Sequence, residues 1–234
     1  MKELAKDVMN SVPQYLINFS KMFGSPRQFP IQQLPADEQG NKESLTNALK
    51  FGLISLVLIV LLNYYRLDKE VVENIYSELA AVSMAIILVI CLSTLCIYLS
   101  WCIFGSKRKF IDYLIINSYS FGVIFVIYFV SIIISDGYLR ANDPVAFANE
   151  IAARRAGIPF DESRFVNPHI LSAYFITVAG GLFVFIWGCI SWGAYRRMNG
   201  ANWFRALLAF LVAFAFGSFA AWFTRMLLIG MGAL

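Results

Sequence analysis

Charged residues are scarce in this chain, and their scarcity excludes most soluble folds. Only 15% of the 234 residues are charged, while 59% are apolar and 16% are aromatic. Long windows hold no charge at all, whereas a soluble protein distributes charges along every amphipathic helix. A soluble domain of this size could not bury so much apolar surface. Lipid is therefore the expected solvent for these windows.

A strong excess of positive charge is also lacking. The net charge of +4 is spread over several loops, which gives no basis for nucleic-acid binding and fits flanks that face anionic lipid headgroups. The first twenty residues lack the apolar core and small-residue cleavage site of a signal peptide, so we expect the N-terminus to be retained.

Residues that could form a catalytic or metal site are few. The single histidine, His169, follows Pro168, and a lone histidine is more often an interfacial residue than a ligand. No nucleophile with a base, phosphate-binding loop or zinc-protease motif is present. We therefore expect no enzymatic activity, no cofactor and no metal. The four cysteines are predicted to be small buried hydrophobic residues, because they lie in apolar windows without acidic or histidine neighbours; they are Cys91, Cys96, Cys102 and Cys189.

Long apolar windows are what the chain does contain. About 20 helical residues at about 1.5 Å each cross a hydrocarbon core of about 30 Å. Five windows meet this length, and together they predict an all-α polytopic membrane protein with five transmembrane helices. The windows are 45–65, 79–104, 111–135, 170–192 and 203–229.

The segment before the first window has a different pattern. Apolar residues recur at helical spacing from Leu4 to Met22, and Pro26, Pro30 and Pro35 follow. This predicts an N-terminal interfacial amphipathic helix and a proline-rich lead-in. We accordingly divide the chain into a cytosolic or interfacial segment, 1–44, and a five-helix transmembrane domain, 45–234.

The distribution of lysine and arginine predicts the orientation. The N-terminal segment, the second connection and the fourth connection carry more of these residues than the first and third connections do. Positively charged loops stay in the cytosol. We therefore expect a cytosolic N-terminus, an external C-terminus and, for a bacterial chain, insertion in the inner membrane. The basic residues of the two cytosolic turns are Lys107, Arg108, Lys109, Arg196 and Arg197.

The third connection, 136–168, is longer than a simple link requires. Asp143 followed by Pro144 is typical of a helix start, and Gly157 of a helix end. A short outer helix over 144–156 is predicted. Because long loops are often functional, this connection is a candidate partner-binding element.

Small residues mark close helix packing in the last two spans. In lipid, such residues allow a neighbouring backbone to approach. They favour the fourth span as the neighbour of the fifth, although a contact with another subunit stays open. The fifth span carries Ala209, Ala213, Gly217 and Ala221 at intervals of four, and the fourth carries Gly180, Gly181 and Gly188.

Two of the charged residues within the predicted windows, Arg225 and Asp112, are candidate functional charges in the membrane. Arg225 follows Ala221 by four residues near the outer end of its helix, where it could reach headgroups, form an ion pair or serve a substrate or ion. Asp112 lies beside the Lys107–Lys109 cluster and is expected to pair with it. Polar residues within the spans fit hydrogen bonds between helices better than a pore lining; among them are Ser93, Thr94, Asn117, Ser118 and Ser120.

Two short stretches resemble the bacterial branch of the Yip family, named for Ypt/Rab-interacting proteins. The first is Phe23-Gly24-Ser25-Pro26-Arg27-Gln28-Phe29, ahead of five spans. The second is a basic turn, Gly105-Ser106-Lys107-Arg108-Lys109-Phe110, followed by the pair Tyr119-Ser120. In contrast to that family, a single glycine precedes the basic turn and the outer connection is longer. The resemblance implies a non-enzymatic membrane protein that acts through helix packing and partner contacts.

Three functional classes follow. The leading one is a structural, accessory or scaffold subunit that binds other membrane subunits or forms a homo-oligomer. The alternatives are a channel or transporter component, with Arg225 and Asp112 near its path, and a membrane enzyme acting on lipid. A pore requires the polar residues of the spans to converge on one water-filled axis, whereas an accessory protein would use them in pairwise contacts.

Overall fold

The computed structural model describes residues 2–35, 40–66, 75–155 and 166–230. All regular elements in these ranges are helices. Side chains are described for 11–35, 40–62, 80, 83–153, 166–220 and 222.

The described helices comprise an N-terminal pair, a short outer helix and five long helices. The N-terminal pair is α1 (Lys2–Gly24) and α2 (Phe29–Gln32). The outer helix is α6 (Pro144–Arg155). The long helices are α3 (Gly40–Arg66), α4 (Ile75–Ile103), α5 (Phe110–Asn142), α7 (Pro168–Met198) and α8 (Trp203–Gly230).

The five long helices are each long and apolar enough to cross a membrane, which confirms the predicted all-α polytopic architecture. Their ends differ from the apolar windows, because helical hydrogen bonding continues into polar flanks. The helix α5 has 33 residues, or about 50 Å at about 1.5 Å per residue, against a hydrocarbon core of about 30 Å. It therefore projects beyond the hydrocarbon. Its last residue is Asn142 rather than the predicted 135, so the outer connection begins at Asp143.

The central helix of the bundle is α5, which packs extensively against α3 and α7 and also contacts α1, α2, α4 and α6. Small residues permit the close approaches. A Cβ atom at Gly122 would lie 2.7 Å from both Phe51 and Ser55 of α3. At Gly180 of α7, a Cβ atom would overlap the side chain of Ser131.

The N-terminal pair belongs to the same core as the spans. Tyr15 and Met22 of α1 and Phe29 of α2 are buried in one cluster with residues of α3, α5 and α7. Next to this buried stripe, α1 exposes Val12, at 39%, and Leu16, at 59%. The helix is thus amphipathic as predicted, but its inner face packs on the bundle because it carries aromatic side chains that match the buried surface of α3 and α5.

A glycine with a positive φ angle follows the C-terminal end of both α4 and α7. Gly105 and Gly200 have positive φ values of 73° and 58°, which cost little without a Cβ atom. Behind Gly105, the Ser106 N–H donates to Trp101 O at 2.9 Å, and behind Gly200 the Ala201 N–H donates to Arg196 O at 3.0 Å. These are Schellman-type helix ends, and they place the α4–α5 and α7–α8 turns side by side.

The outer helix α6 starts where the sequence predicts. The Asp143 Oδ1 atom accepts the Ala146 N–H at 2.9 Å, and Pro144 follows at the first helical position. The next helix, α7, starts in the same way, with Asn167 Oδ1 accepting the His169 N–H at 2.9 Å ahead of Pro168. Gly157, the predicted stop of α6, lies outside the described residues.

Candidate functional site

The helix α1 and the segment that follows it are anchored in the bundle by three long-range hydrogen bonds. The Trp187 indole N–H donates to Phe23 O at 3.2 Å, and Arg27 Nε–H donates to Ile190 O, also at 3.2 Å. The hydroxyls of Tyr15 and Ser55 lie 3.1 Å apart. Burial is expected to raise the pKa of Tyr15. These contacts hold α1 against α3 and α7, and they hold the segment after α1 against α7.

An aromatic cluster joins Phe29 of α2 to Phe51 of α3 and Tyr119 of α5. The rings of Phe29 and Tyr119 meet edge to face, with centroids 5.3 Å apart. Phe51 contacts Tyr119 at 4.9 Å and Tyr15 at 4.8 Å. Edge-on and tilted pairs at these distances stabilise a core beyond simple burial. Phe29 and Tyr119 are therefore parts of one core.

The polar residues within the spans form a compact network between α4, α5 and α7. Asn117 Nδ2 donates to Thr94 Oγ1 at 2.5 Å and to Ser93 Oγ at 3.2 Å. The Tyr195 hydroxyl donates to Asn117 Oδ1 at 3.1 Å. This network can fix helix register, because each donor or acceptor left unpaired in lipid would cost free energy. Tyr119 Oη and Ser120 Oγ, by contrast, are buried without a hydrogen-bond partner among the described residues.

A second polar network ties the two glycine turns together. Ser106 Oγ donates to Asn199 Oδ1 at 2.5 Å, and the Tyr113 hydroxyl lies 2.8 Å from Ser106 Oγ. Arg108 Nε–H donates to Met198 O at 3.1 Å. We call this end of the bundle, formed by 104–109 and 199–202, the basic end. It carries Lys107, Arg108, Lys109, Arg196, Arg197 and Arg205.

Cavities open along the same half of the bundle. A cavity of about 290 Å³ lies between α1, α2 and α3, and Lys21 and Lys50 line it together with amide side chains. A larger crevice of about 510 Å³ between α3 and α4 is almost wholly apolar, with Lys50 and Thr46 among its lining residues. These are places that could take anionic groups and acyl chains, respectively.

The predicted packing stripe of α8 is only partly buried, and its main neighbour differs from the prediction. Ala209 is fully buried and Ala213 is 8% exposed, but a Cβ atom at Gly217 would meet no atom within 4 Å. The side chain of Ala221 lies outside the described residues. The more extensive contact of α8 is with α4, and its contact with α7 is smaller.

The expectation that the α7 glycines receive α8 is therefore wrong for the described part of the chain. Gly180 faces Ser131 of α5, and Gly188 lies nearest to Ile124 of α5. A Cβ atom at Gly181 would meet no atom within 4 Å. The physical reason is that Gly180 allows α7 to approach the central helix α5, which has the small side chain of Ser131 at that position.

The two predicted in-span charges lie far apart along the chain. Asp112 is buried in the first turn of α5, where the positive end of the helix dipole favours an acidic residue. Arg225 lies in α8, and its side chain is outside those described. The structure thus brings Asp112 close to the basic end.

The cysteine prediction is corrected in part. Cys96 is buried, but Cys91, Cys102 and Cys189 are exposed on helix surfaces, and all four are free thiols. Apolar windows contain lipid-facing as well as inward-facing positions, so burial did not follow from hydropathy. Among the described residues, no three His, Cys, Asp or Glu side chains are grouped as metal ligands.

Sequence reasoning missed Asn199, Tyr195 and Trp101 as site residues. Asn199 directly follows α7 and precedes Gly200, a pattern typical of a helix end that was available in the sequence. Nothing in the sequence indicates that Tyr195 stacks on Tyr113, with centroids 5.9 Å apart.

Comparison with protein-family models, curated proteins and solved structures finds no match.

Proposed function

We propose that this chain is a non-enzymatic integral membrane protein that serves as a structural, accessory or scaffold subunit. The observation that carries the proposal is how the polar side chains of the spans are used. Asn117 pairs with α4 and with Tyr195, and Ser135 Oγ donates to Ala173 O of α7 at 2.7 Å. Ser118 and Ser131 donate to carbonyls of their own helix. The contacts of Asn117 and Ser135 join different helices and so stabilise the packing between them.

A channel would instead need these groups on a shared aqueous path. The polar cavity with Lys21 and Lys50 lies beside α1, and the crevice between α3 and α4 is apolar. Neither is lined by Asn117 or Ser135. This arrangement favours an accessory role over the channel or transporter alternative.

Exposed aromatic faces on α7 and α8 support contacts with lipid or with another subunit. Phe175 and Phe185 of α7 are 61% and 60% exposed, and Phe214 and Phe219 of α8 are 66% and 64% exposed. Lipid chains solvate exposed apolar side chains as well as another protein surface does. The open glycine positions beside them, Gly181 and Gly217, allow a foreign helix to approach closely.

The resemblance to the bacterial Yip family is part of this proposal. Its two stretches meet through Phe29 and Tyr119, which is expected if they form one structural unit. The basic turns lie together at one end of the bundle, which supports a cytosolic N-terminus. Insertion in a bacterial inner membrane is proposed on the resemblance alone.

Purification of the tagged chain from its native membrane in a gentle detergent tests the proposed role. Stoichiometric membrane proteins that co-purify, or a defined homo-oligomer that does not conduct ions, are the expected results. A chain that purifies without partners and conducts ions after reconstitution contradicts the proposal.

A matched pair of variants identifies the docking face. Gly217→Leu should release the partner or dissociate the oligomer while leaving the monomer folded, because no atom lies within 4 Å of a Cβ atom there. Ser218→Leu, on the next, exposed position of the same helix, is the control for added bulk. Equal loss in both variants argues against a defined face.

A further inference from the structure

A cavity of about 450 Å³ lies between the two turns of the basic end. Its lining includes Lys107, Arg108 and Arg205, and none of its lining residues is acidic. Three cations that share one cavity repel each other unless an anion lies between them. The cavity therefore has the charge of an anion site.

The groups around this cavity are held in place by the fold. Arg108 is held at two points. Its Nε–H donates to Met198 O at 3.1 Å, and its backbone N–H donates to Ser106 Oγ at 3.2 Å. The Nη2 atom of Arg205 lies 3.2 Å from the position that a Cβ atom on Gly105 would take. A larger residue than glycine would thus crowd this guanidinium away from the turn.

The wall of the cavity supplies a second, independent indication of a ligand. Trp101 is 1% exposed, and its indole N–H has no acceptor among the described residues. A buried tryptophan N–H normally has a partner. The Trp101 ring is held against Trp192, with centroids 6.0 Å apart and planes 23° from parallel. It lines the same cavity as the three cations.

The position of the cavity in the fold indicates which anion it binds. Both α5 and α8 begin at this end, so their positive dipole ends lie near the cavity. Trp101 in its lining is a residue type that is enriched at the level of lipid headgroups. Phosphate is the anionic group present at that level, and it matches arginine donors well.

We propose that the cavity formed by Lys107, Arg108, Arg205 and the Trp101 wall binds a phosphate group. The phosphate belongs either to an anionic phospholipid headgroup or to a soluble phosphate compound. This site goes beyond the accessory role and does not depend on it, since it is built within one chain.

The test uses the full chain, purified and delipidated in a neutral detergent, with two probes. Phosphatidylglycerol retention is measured by native mass spectrometry, and inorganic phosphate is titrated while tryptophan fluorescence is followed. The variant is Arg205→Gln, and the matched control is Arg197→Gln, a cation of the same end that does not line the cavity. Size-exclusion profiles check that both variants are folded.

We expect Arg205→Gln to weaken binding by about tenfold and Arg197→Gln by less than about twofold. If Arg205→Gln weakens the binding of phosphatidylglycerol alone, the phosphate belongs to a lipid headgroup. If it weakens the binding of both probes, the site also binds soluble phosphate. Equal loss in the two variants would show that binding depends on the charge of the surface as a whole. No loss with either probe would show that Arg205 does not bind phosphate. Either result overturns the proposal.

Discussion

Asn117 shows how this chain accommodates an amide in the middle of a helix bundle. Its side chain connects α5 to both α4 and α7 through Thr94 and Tyr195. The sequence predicted a hydrogen bond between helices at this residue, because a polar group inside a span needs a partner. It did not predict the partners, which depend on the rotation of three helices about their axes.

Replacing Asn117 with leucine should lower the free energy of unfolding in mixed detergent micelles by about 1 kcal/mol. The loss arises because the Tyr195 hydroxyl loses its acceptor. Ser118→Ala is the control, since Ser118 Oγ donates only within its own helix, to Leu114 O at 2.8 Å. Equal effects of the two substitutions would contradict the assigned network.

Asp143 couples the outer end of the bundle to pH. Hydrogen bonds from the Ala146 N–H and from the Asn167 side chain, which lies 2.8 Å away, lower the pKa of this carboxyl below its ordinary value of 3.8. A lowered pKa in the folded state means that the stabilisation is present above the ordinary value and is lost as pH falls through the lowered one.

Amide hydrogen exchange in α6 should therefore speed up in the wild-type chain, relative to Asp143→Asn, when pH falls from about 5 to about 3. Asparagine also caps helices but does not titrate. Asp143→Ala should exchange faster at both pH values, because it removes the cap. An Asp143→Asn variant with the same pH response as the wild type would show that another group is responsible.

At the scale of elements, the sequence predicts helices better than their neighbours. Apolar windows near Ile54, Val123 and Phe183 indicate spans because length and hydropathy suffice for them. Asp143-Pro144 indicates the start of α6 through local capping. The docking of α1 was not predicted beyond its amphipathic character, since a periodic stripe defines a face but not the surface that the face meets.

The small-residue stripe illustrates the same limit. Ala209 and Ala213 are buried as expected, yet the more extensive neighbour of α8 is α4 and not α7. Small residues report that some backbone comes close. They do not report which one, and Gly180 approaches Ser131 of α5 instead.

Alanine substitutions at two adjacent glycines of α7 distinguish the effect of close helix packing from the effect of helix propensity. Gly180→Ala should lower stability by about 1–3 kcal/mol, because the new methyl group would overlap Ser131 and must push α7 from α5. Gly181→Ala should cause no loss, since nothing lies within 4 Å of its Cβ position. The comparison uses unfolding in mixed micelles, and a loss at Gly181 as large as that at Gly180 would refute the α5–α7 contact.

At the scale of the whole molecule, the two ends of the bundle are chemically different. One end brings together the α4–α5 and α7–α8 turns with their lysine and arginine side chains, joined by Ser106 and Asn199. The other end carries α6, capped by Asp143 and linked to Asn167. A membrane protein with this asymmetry is expected to insert with its basic end in the cytosol.

Site-directed labelling in sealed vesicles tests the five-span account most directly. Single cysteines are introduced at Lys107, Ala148 and Asn202, after the four native cysteines are replaced by serine, and each is challenged with an impermeant maleimide from one side. We predict that Lys107→Cys and Asn202→Cys react from the cytosolic side and Ala148→Cys only from the opposite side. Reaction of Ala148→Cys from the same side as Lys107→Cys would contradict the account, because α5 and α7 could not then each cross the membrane.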